Sequence, residues 1–272
     1  MPAAVAPFQA QRALSFNTSR WLSTLQSGVY QNHLQEVHVK LVVFGDSILK
    51  GVITIPGSTK LFDTTENDSL TLAQKELGFE LDNRSIYGNI SSKGLVKLQK
   101  FLEKGGQADI CIIEFGSNDC DYDWNIFEPG ARLPAFDQIK PKVPLEEYLA
   151  NLDQMVKLCR DHKITPVLMG LIPYVCDDWF KTIVKGHDEQ AILDFLGGTP
   201  ETLGKNQETY NLALKDFAQK NKVLLLDIYK IYRELPDSKK LMCYDGIHPN
   251  EEGYEHLAFC WTHFLPLVKK EA

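Results

Sequence analysis

The chain has 272 residues, of which 44% are hydrophobic and 24% are charged, and its formal net charge is −7. This length suits one large α/β domain or two small ones, and the ordinary composition excludes a chain that is disordered or collagen-like throughout. Because nucleic acids and anionic lipid surfaces attract basic proteins, the acidic balance makes neither an expected partner.

The N-terminal sequence, MPAAVAPFQAQRALSFNTSR, lacks a charged start followed by a continuous apolar segment, so no signal peptide is recognised. No stretch approaches the roughly 20 apolar residues of a membrane-spanning helix. The six cysteines are widely spaced without a CxxC pair, which argues against a disulfide framework and against a zinc site. These features predict a cytoplasmic protein without an integral membrane segment, and they leave its oligomeric state open.

From Val39 onward, apolar runs alternate with amphipathic helical patterns along the chain. Strands are predicted at 41–45, 85–88, 108–116, 164–172 and 222–229, and helices at 61–78, 91–106, 145–163, 209–221 and 253–268. The run ADICIIEFG, at 108–116, is interpreted as a fully apolar strand. Continuous apolar strands separated by helices are typical of a parallel sheet covered on both faces, so the predicted fold class is doubly wound α/β.

Residues 1–36 precede this repeat and are predicted to form an N-terminal extension that packs on a single domain of residues 37–272. Two stretches interrupt the repeat, at about 119–143 and about 174–205, and both are rich in aromatic residues. Each exceeds the usual connection length and is predicted to be a long loop. Long loops in compact domains are often functional, so both stretches are candidates for substrate contact.

The segment VHVKLVVFGDSILKGV, residues 37–52, carries the first candidate for chemistry. Its apolar run stops at Gly45, and Asp46 and Ser47 follow directly. Ser and Asp are also the residues that most often start a helix, so the local sequence leaves two interpretations of Ser47 open. It is either a helix-capping residue or a nucleophile at the end of a strand.

Polar residues also follow the other predicted strands. Gly88 and Asn89 come after the second strand, Asn118 comes after the third, and the last strand is followed by a loop that carries Asp245 and His248. In an open parallel sheet, ligands bind beyond the carboxyl ends of the strands, so these groups are expected to meet at one edge.

That set of groups is what acyl transfer requires. A serine hydroxyl needs a base to remove its proton, and histidine is the side chain whose pKa lies nearest neutrality. A carboxylate beside the imidazole orients it and stabilises the imidazolium, while backbone and carboxamide N–H groups stabilise the oxyanion. The sequence therefore predicts nucleophilic catalysis at this edge of the sheet.

In this order, four motifs resemble those of the SGNH, or GDSL-type, hydrolase family. They are GDS at 45–47, YGNISSKGL at 87–95, GSND at 116–119 and DGIHPNEEGYEHLA at 245–258. The resemblance covers roughly residues 39–267. It implies a flavodoxin-like three-layer α/β/α sandwich with a parallel central sheet, and esterase or related acyl-hydrolase activity without a metal or other cofactor.

The same resemblance implies a role for each matching residue. Ser47 is the expected nucleophile, His248 the base and Asp245 its partner. The expected oxyanion hole is formed by Ser47, Gly88 and Asn118. The chain departs from compact family members in the longer separation between Asn118 and Asp245, and the extra length lies in the two predicted loops.

Six further residues are candidates for the substrate pocket, and most have an equally plausible structural role. Asp46 is expected to brace the nucleophile loop, Asp121 and Trp124 also fit a structural turn, and Trp179 and Phe180 also fit ordinary loop anchoring. The candidates are Asp46, Asn89, Asp121, Trp124, Trp179 and Phe180.

The predicted function is hydrolysis of short-chain acyl or acetyl esters through an acyl-enzyme, on a small-molecule, carbohydrate or lipid ester. Two alternatives stay open at this point. One is a thioesterase, lysophospholipase or acyltransferase with the same triad, and the other is a non-catalytic binding module on this fold.

Overall fold

A computed structural model describes residues 39–55, 57 and 62–271 of the chain. The predicted N-terminal extension at 1–36 lies outside the described residues, so its packing on the domain stays a prediction. Within the described residues, no helix combines the length and the apolar character needed to cross a membrane.

Five parallel strands form the central sheet, in the spatial order β4-β1-β5-β6-β7. The first strand lies inside the sheet, and the chain adds the next strand on one side of it before adding the remaining three on the other. The strand order therefore reverses between β1 and β5, and such a reversal opens a crevice at the carboxyl ends of the two strands. The strands are β1 Lys40–Phe44, β4 Glu80–Asn83, β5 Ile110–Ile113, β6 Thr165–Met169 and β7 Leu224–Leu226.

Helices connect these strands, and a short antiparallel ribbon follows the first helix. The α-helices are α1 Ser47–Lys50, α2 Ser69–Leu77, α3 Ser91–Glu103, α4 Leu145–Asp161, α5 Cys176–Ile183, α6 Glu189–Phe195, α7 Glu201–Asn221, α8 Ile228–Glu234 and α9 Glu251–Glu271. The ribbon is β2 Val52–Ile53 with β3 Asp63–Thr64, and 3-10 helices occur at Trp124–Phe127, Phe136–Gln138 and Ser238–Leu241.

Both faces of the sheet are covered, because the strand side chains alternate between them. On one face, Val42, Phe44 and Ile113 are buried in a core with apolar side chains of α3, α4 and α7. The alternate residues, such as Val43 and Ile112, are equally buried on the other face, where α2 packs against α9. The predicted three-layer α/β/α class is confirmed.

The predicted strand at 85–88 is wrong. The second strand of the sheet is β4, Glu80–Asn83, which pairs with β1 in the register Lys40 to Glu80. Its sequence, ELDN, is polar because β4 lies at the edge of the sheet and none of its residues is fully buried. The apolar residues Ile86 and Tyr87 that suggested a strand are 40% and 47% exposed, in the loop beyond it.

The predicted loop at 174–205 is also wrong, since it contains α5, α6 and the start of α7. Helices of eight and seven residues are too short to show a clear helical period, and glycines with positive φ at 186, 197 and 198 interrupt the pattern. The stretch at 119–143 runs through two of the 3-10 helices. These segments pack together in a second hydrophobic cluster, which we call the satellite cluster, around Trp124, Phe127, Ile183, Ile192, Leu196 and Leu203.

We expect Gly94→Ala in α3 to lower the free energy of unfolding by about 1–2 kcal/mol, because overpacking a core usually costs about 1–3 kcal/mol and the better helix propensity of Ala offsets part of that cost. The added Cβ would overlap the ring of Phe115, which is fully buried and has no room to move. This cost exceeds the gain of about 1 kcal/mol in helix propensity. Urea unfolding measures the change. Val96→Ala, at a half-exposed position of the same helix, is the control, and a stabilised Gly94→Ala protein would contradict the expectation.

Candidate active site

Ser47 lies at the first residue of α1, directly beyond the carboxyl end of β1. Asp46 caps this single helical turn, because its Oδ1 accepts a hydrogen bond of 2.8 Å from the Ile48 amide. Ser47 is buried, and its Oγ lies 2.9 Å from His248 Nε2. The two sequence interpretations of this segment are therefore compatible, since Asp46 makes the cap and leaves the Ser47 hydroxyl directed at an imidazole.

One short loop carries both His248 and Asp245. His248 Nδ1 lies 2.6 Å from Asp245 Oδ2, and Asp245 Oδ1 accepts hydrogen bonds of 3.1 Å from the amides of Ile247 and His248. The loop is closed by the Cys243 amide, which donates to the His248 carbonyl over 2.7 Å. A three-residue spacing thus suffices to hold the carboxylate against the ring.

Gly246 allows this loop to pass close to α5. Its φ is +76°, and a Cβ at this position would lie 2.6 Å from the Val175 carbonyl oxygen and 2.7 Å from the Trp179 amide. The Val175 amide donates to the Gly246 carbonyl over 2.9 Å. The start of α5 is therefore a rigid support behind the loop that positions His248.

Asp245 is held in its ionised form. Burial raises the pKa of its carboxyl, but the hydrogen bond and charge of His248 and the two backbone donors outweigh burial, and the net pKa lies below its ordinary value. An ionised Asp245 binds the proton on His248 Nδ1, which leaves Nε2 as the acceptor of the Ser47 hydroxyl proton.

Asn118 lies in the loop that follows β5, on the other side of the crevice from Ser47. Its Nδ2 donates a hydrogen bond of 2.8 Å to Asp46 Oδ2, so the loops beyond β1 and β5 are directly joined. The next residue, Asp119, is fully buried and accepts hydrogen bonds from the amides of Ser91 and Gly116. Those bonds brace the loop that carries Asn118.

Gly88 lies in a tight turn beyond β4, with φ of +65°. The turn is closed by the Asn89 amide, which donates to the Ile86 carbonyl over 3.2 Å. Asn89 also anchors it to the nucleophile loop, because its Nδ2 donates to the Gly45 carbonyl over 3.2 Å. The loops that carry Ser47, Gly88 and Asn118 are thus tied to one another.

The remaining pocket candidates make internal contacts. Asp121 is buried and accepts hydrogen bonds from Trp124 Nε1 over 2.9 Å and from Lys142 Nζ over 2.7 Å. Trp124, Trp179 and Phe180 pack in or against the satellite cluster. These contacts are those of loop anchors, and a role of the four residues in substrate contact stays a prediction.

Two residues near the triad were not recognised from the sequence. The Tyr87 ring stacks on Phe62 with 3.9 Å between ring centroids, and it lies nearly parallel to the His248 ring at 6.1 Å. Phe62 falls within a segment predicted to be helical, so nothing marked it as a site residue. Tyr87 precedes Gly88 in the matched motif, and its position in that motif was the available signal.

A third residue missed in the sequence is Glu114. It follows β5 directly and is 1% exposed, as is Asp46, whose amide donates to Glu114 Oε2 over 3.0 Å. Burial raises the pKa of both carboxyls, that of Glu114 well above its ordinary value. A glutamate at the end of an apolar run was the signal, and the interpretation of 108–116 as fully apolar overlooked it.

Within the described residues, no group of three or more His, Cys, Asp and Glu side chains is arranged to hold a metal ion.

Comparison with known proteins places this geometry in context. Residues 43–256 match the sequence profile of the GDSL-like lipase/acylhydrolase family. The human isoamyl acetate-hydrolyzing esterase 1 homolog is 26% identical over 197 residues, which cover 70% of this chain and 68% of that protein. The isoamyl acetate-hydrolyzing esterase of Saccharomyces cerevisiae is 23% identical over 217 residues, 79% of this chain and 81% of that protein.

Among solved structures, the lipase/acylhydrolase from Enterococcus faecalis superposes with a TM-score of 0.59 and 18% identity, covering 83% of this chain and 94% of that one. At this identity the likeness shows a common fold.

The buried carboxyl of Asp119 predicts a dependence of stability on pH. Burial raises its pKa from the ordinary 3.8 to about 6, against the opposing hydrogen bonds from Ser91 and Gly116. The folded protein therefore binds this proton more tightly than the unfolded chain, so the stabilisation is present below about pH 4 and is lost as the pH rises through about 6.

We expect the wild-type protein to lose roughly 1 kcal/mol of unfolding free energy through this group between about pH 5 and about pH 7. Asp119→Asn, which does not titrate, should lack this component and show a smaller decrease over the same interval. Urea unfolding at the two pH values measures it. The variant also weakens two backbone hydrogen bonds at every pH, so the informative quantity is the difference between pH values, and equal decreases would contradict the expectation.

Proposed function

The chain belongs to the GDSL-like lipase/acylhydrolase family and is an esterase, and we propose that it cleaves small carboxylic esters of short acyl groups through an acyl-enzyme on Ser47. The observation that carries the proposal is the hydrogen-bonded line from Ser47 Oγ through the His248 ring to Asp245, with links of 2.9 and 2.6 Å. This alignment supports nucleophilic catalysis, because a serine hydroxyl is a weak nucleophile until a base removes its proton.

In the proposed acylation step, His248 Nε2 removes the hydroxyl proton of Ser47 while Oγ attacks the carbonyl carbon of the ester. The imidazolium that forms is stabilised by the adjacent Asp245 carboxylate. Collapse of the tetrahedral intermediate breaks the bond to the alcohol oxygen, which takes the proton from His248 and leaves. Water then attacks the acyl-serine with His248 again as the base, and the free acid is released.

We assign the stabilisation of the oxyanion to the amides of Ser47 and Gly88 and to the side chain of Asn118. The Asn118 carboxamide donates one N–H to Asp46, which orients the group and leaves its second N–H to donate to the substrate. One such donor is typically worth about 3 kcal/mol of the barrier. The turn at Ile86–Asn89, anchored on Gly45, supports the assignment of Gly88.

Two observations support a small acyl group and an apolar alcohol as the substrate. The two relatives described above are named for hydrolysis of isoamyl acetate, an ester with a two-carbon acyl group and a branched apolar alcohol. Because His248 protonates the departing oxygen, the alcohol has to lie beside His248, and the stacked rings of Tyr87 and Phe62 lie on that side. Acetyl esters on carbohydrate belong to the same proposal, and the cytoplasmic location stays a prediction.

We expect Ser47→Ala to lower kcat for p-nitrophenyl acetate by about 10⁴–10⁶-fold, the range seen when a member of a catalytic triad is removed. A fluorophosphonate probe should label the wild-type protein at Ser47 and leave the variant unlabelled. Circular dichroism and urea unfolding establish that the variant is folded. Unchanged turnover, or labelling at another residue, would remove Ser47 from the mechanism.

We expect Tyr87→Ala to lower kcat/KM for isoamyl acetate by roughly tenfold. The apolar alcohol group would be buried against the Tyr87 ring, and losing that contact costs about 1.5 kcal/mol. Methyl acetate should change by less than about twofold, since its alcohol is too small to use that surface. Steady-state kinetics measures the two effects separately. A series of acetates varies the alcohol group, and a series of isoamyl esters from acetate to octanoate varies the acyl group.

Phe136→Ala is the matched control, because Phe136 is also an exposed aromatic residue but packs edge-to-face against Phe195, beside the satellite cluster. A loss that grows along the acyl series and not along the alcohol series would place Tyr87 on the acyl side. Faster turnover of octanoate than of acetate esters would favour the lysophospholipase or thioesterase alternative over a short-chain esterase.

A further inference from the structure

Two carboxyl groups lie close together next to the nucleophile, and both are buried away from water. Asp46 and Glu114 are each 1% exposed, and the Asp46 amide donates to Glu114 Oε2 over 3.0 Å. The two carboxyl groups also lie close enough for each to shift the pKa of the other. Two ionised carboxylates at short range repel each other strongly in a buried site, which favours a single proton shared by the pair.

The hydrogen bonds around the pair indicate which carboxyl holds that proton. Asp46 accepts from the Ile48 amide through Oδ1 and from Asn118 Nδ2 through Oδ2, and both bonds require an acceptor oxygen. Among the residues that the structure describes, Glu114 accepts from one donor, the Asp46 amide. Asp46 therefore has more hydrogen-bond donors to stabilise a negative charge. This difference favours an ionised Asp46 and a protonated Glu114 that donates to it. Burial raises the pKa of both carboxyls. In addition, the charge of Asp46 raises the pKa of Glu114 against the opposing hydrogen bond from the Asp46 amide, whereas the Glu114 side chain lowers the pKa of Asp46.

The other charges near the pair act in the same sense. The neighbouring Asp119 carboxyl disfavours a negative charge on Glu114, and His248 favours a negative charge on Asp46. The carboxyl of Glu114 also packs on Gly45, because a Cβ on that glycine would lie 2.9 Å from Glu114 Oε2. The glutamate thus holds the backbone at Gly45 and Asp46, immediately before Ser47.

We propose that Glu114 is a positioning residue for the oxyanion hole. Its protonated carboxyl donates a hydrogen bond to Asp46, the Asp46 carboxylate accepts one N–H of Asn118, and the second N–H of Asn118 is thereby directed at the oxyanion. The proposal rests on the proposed function, in which Asn118 stabilises the oxyanion. No bond of the substrate is made or broken by Glu114, and its proton stays on the pair throughout.

The first test compares Glu114→Gln with Glu114→Leu. A carboxamide presents the same donor and acceptor as a protonated carboxyl, so Glu114→Gln should keep kcat for p-nitrophenyl acetate within about threefold of wild type. Glu114→Leu leaves Asp46 without that donor and should lower kcat by about 10- to 100-fold, with KM within about twofold, below the loss of a whole oxyanion donor. Val156→Ala, a buried core change in α4, controls for lost stability and should leave kcat unchanged.

The second test asks whether Glu114 acts through Asn118. In a double-mutant cycle, adding Glu114→Gln to Asn118→Ala should change kcat no further, and adding Glu114→Leu should cost much less than it does in the wild-type background. Asp46→Asn, which replaces an acceptor with a donor toward Asn118, should lower kcat as far as Glu114→Leu. Infrared spectra at about pH 8, above the pKa of about 6 of Asp119, should show a protonated carboxyl band in the wild type that Glu114→Gln lacks.

The results that would overturn the proposal are distinct from those that would overturn the proposed function. If Ser47→Ala keeps its activity, the function fails first. If Ser47→Ala is inactive but Glu114→Leu retains wild-type kcat, or Glu114→Gln is as impaired as Glu114→Leu, or the Glu114 and Asn118 effects are additive, the Glu114 proposal alone is wrong. A harmful Glu114→Gln together with a harmless Asp46→Asn would put the proton on Asp46 instead.

Discussion

The reversal of strand order between β1 and β5 is the constraint on which the site depends. β1 pairs with β4 on one side and with β5 on the other, so the loops that leave β1 and β5 diverge and open a crevice between them. Ser47 lies on one side of that crevice and Asn118 on the other, joined by the bond from Asn118 to Asp46. His248 lies 201 positions after Ser47 in the chain. Bringing the two together costs conformational entropy, which the packing of α9 on α2 helps to offset. The bond of 2.8 Å from Tyr254 Oη to the Val52 carbonyl ties α9 to the ribbon that follows α1.

The protein concentrates ionisable groups at this crevice although their burial is costly. Asp46, Glu114, Asp119, Asp245 and His248 are all nearly inaccessible to water. Each carboxyl accepts hydrogen bonds from backbone or side-chain donors, and the proton that we place on Glu114 lowers the negative charge beside Asp46. Groups held in this way do not need to reorganise when charge develops in a reaction, so the cost in stability is matched by preorganisation.

The satellite cluster gives the long insertions a structural role beside the site. Tyr174 Oη donates to the Ser117 carbonyl over 2.7 Å, and Gln207 Nε2 donates to Ser117 Oγ over 3.2 Å. Both bonds reach the loop that carries Asn118 from the side of α5 and α7. The aromatic residues of the insertions thus pack together beside the site. Polar groups at the edge of this packed region hold Ser117, which precedes the proposed oxyanion donor Asn118.

The sequence by itself determined the fold class and the chemical character of the site. Apolar runs such as LVVF survive as strands because central strands are buried on both faces, and short motifs such as GDS and DGIH carry their own turn and capping chemistry. Local patterns failed where burial depends on distant neighbours. ELDN is a strand because β1 pairs with it, and SIYG is a loop although its composition favours a strand.

Only the tertiary structure decided which polar groups act on one another. Nothing in the order of residues shows that Glu114 touches Asp46, that Tyr87 stacks beside His248, or that Trp124 and Trp179 serve a hydrophobic cluster. The physical reason is that a side chain's charge state and accessibility are set by the groups packed around it. Those groups come from strands and loops that are neighbours in space and far apart in the chain.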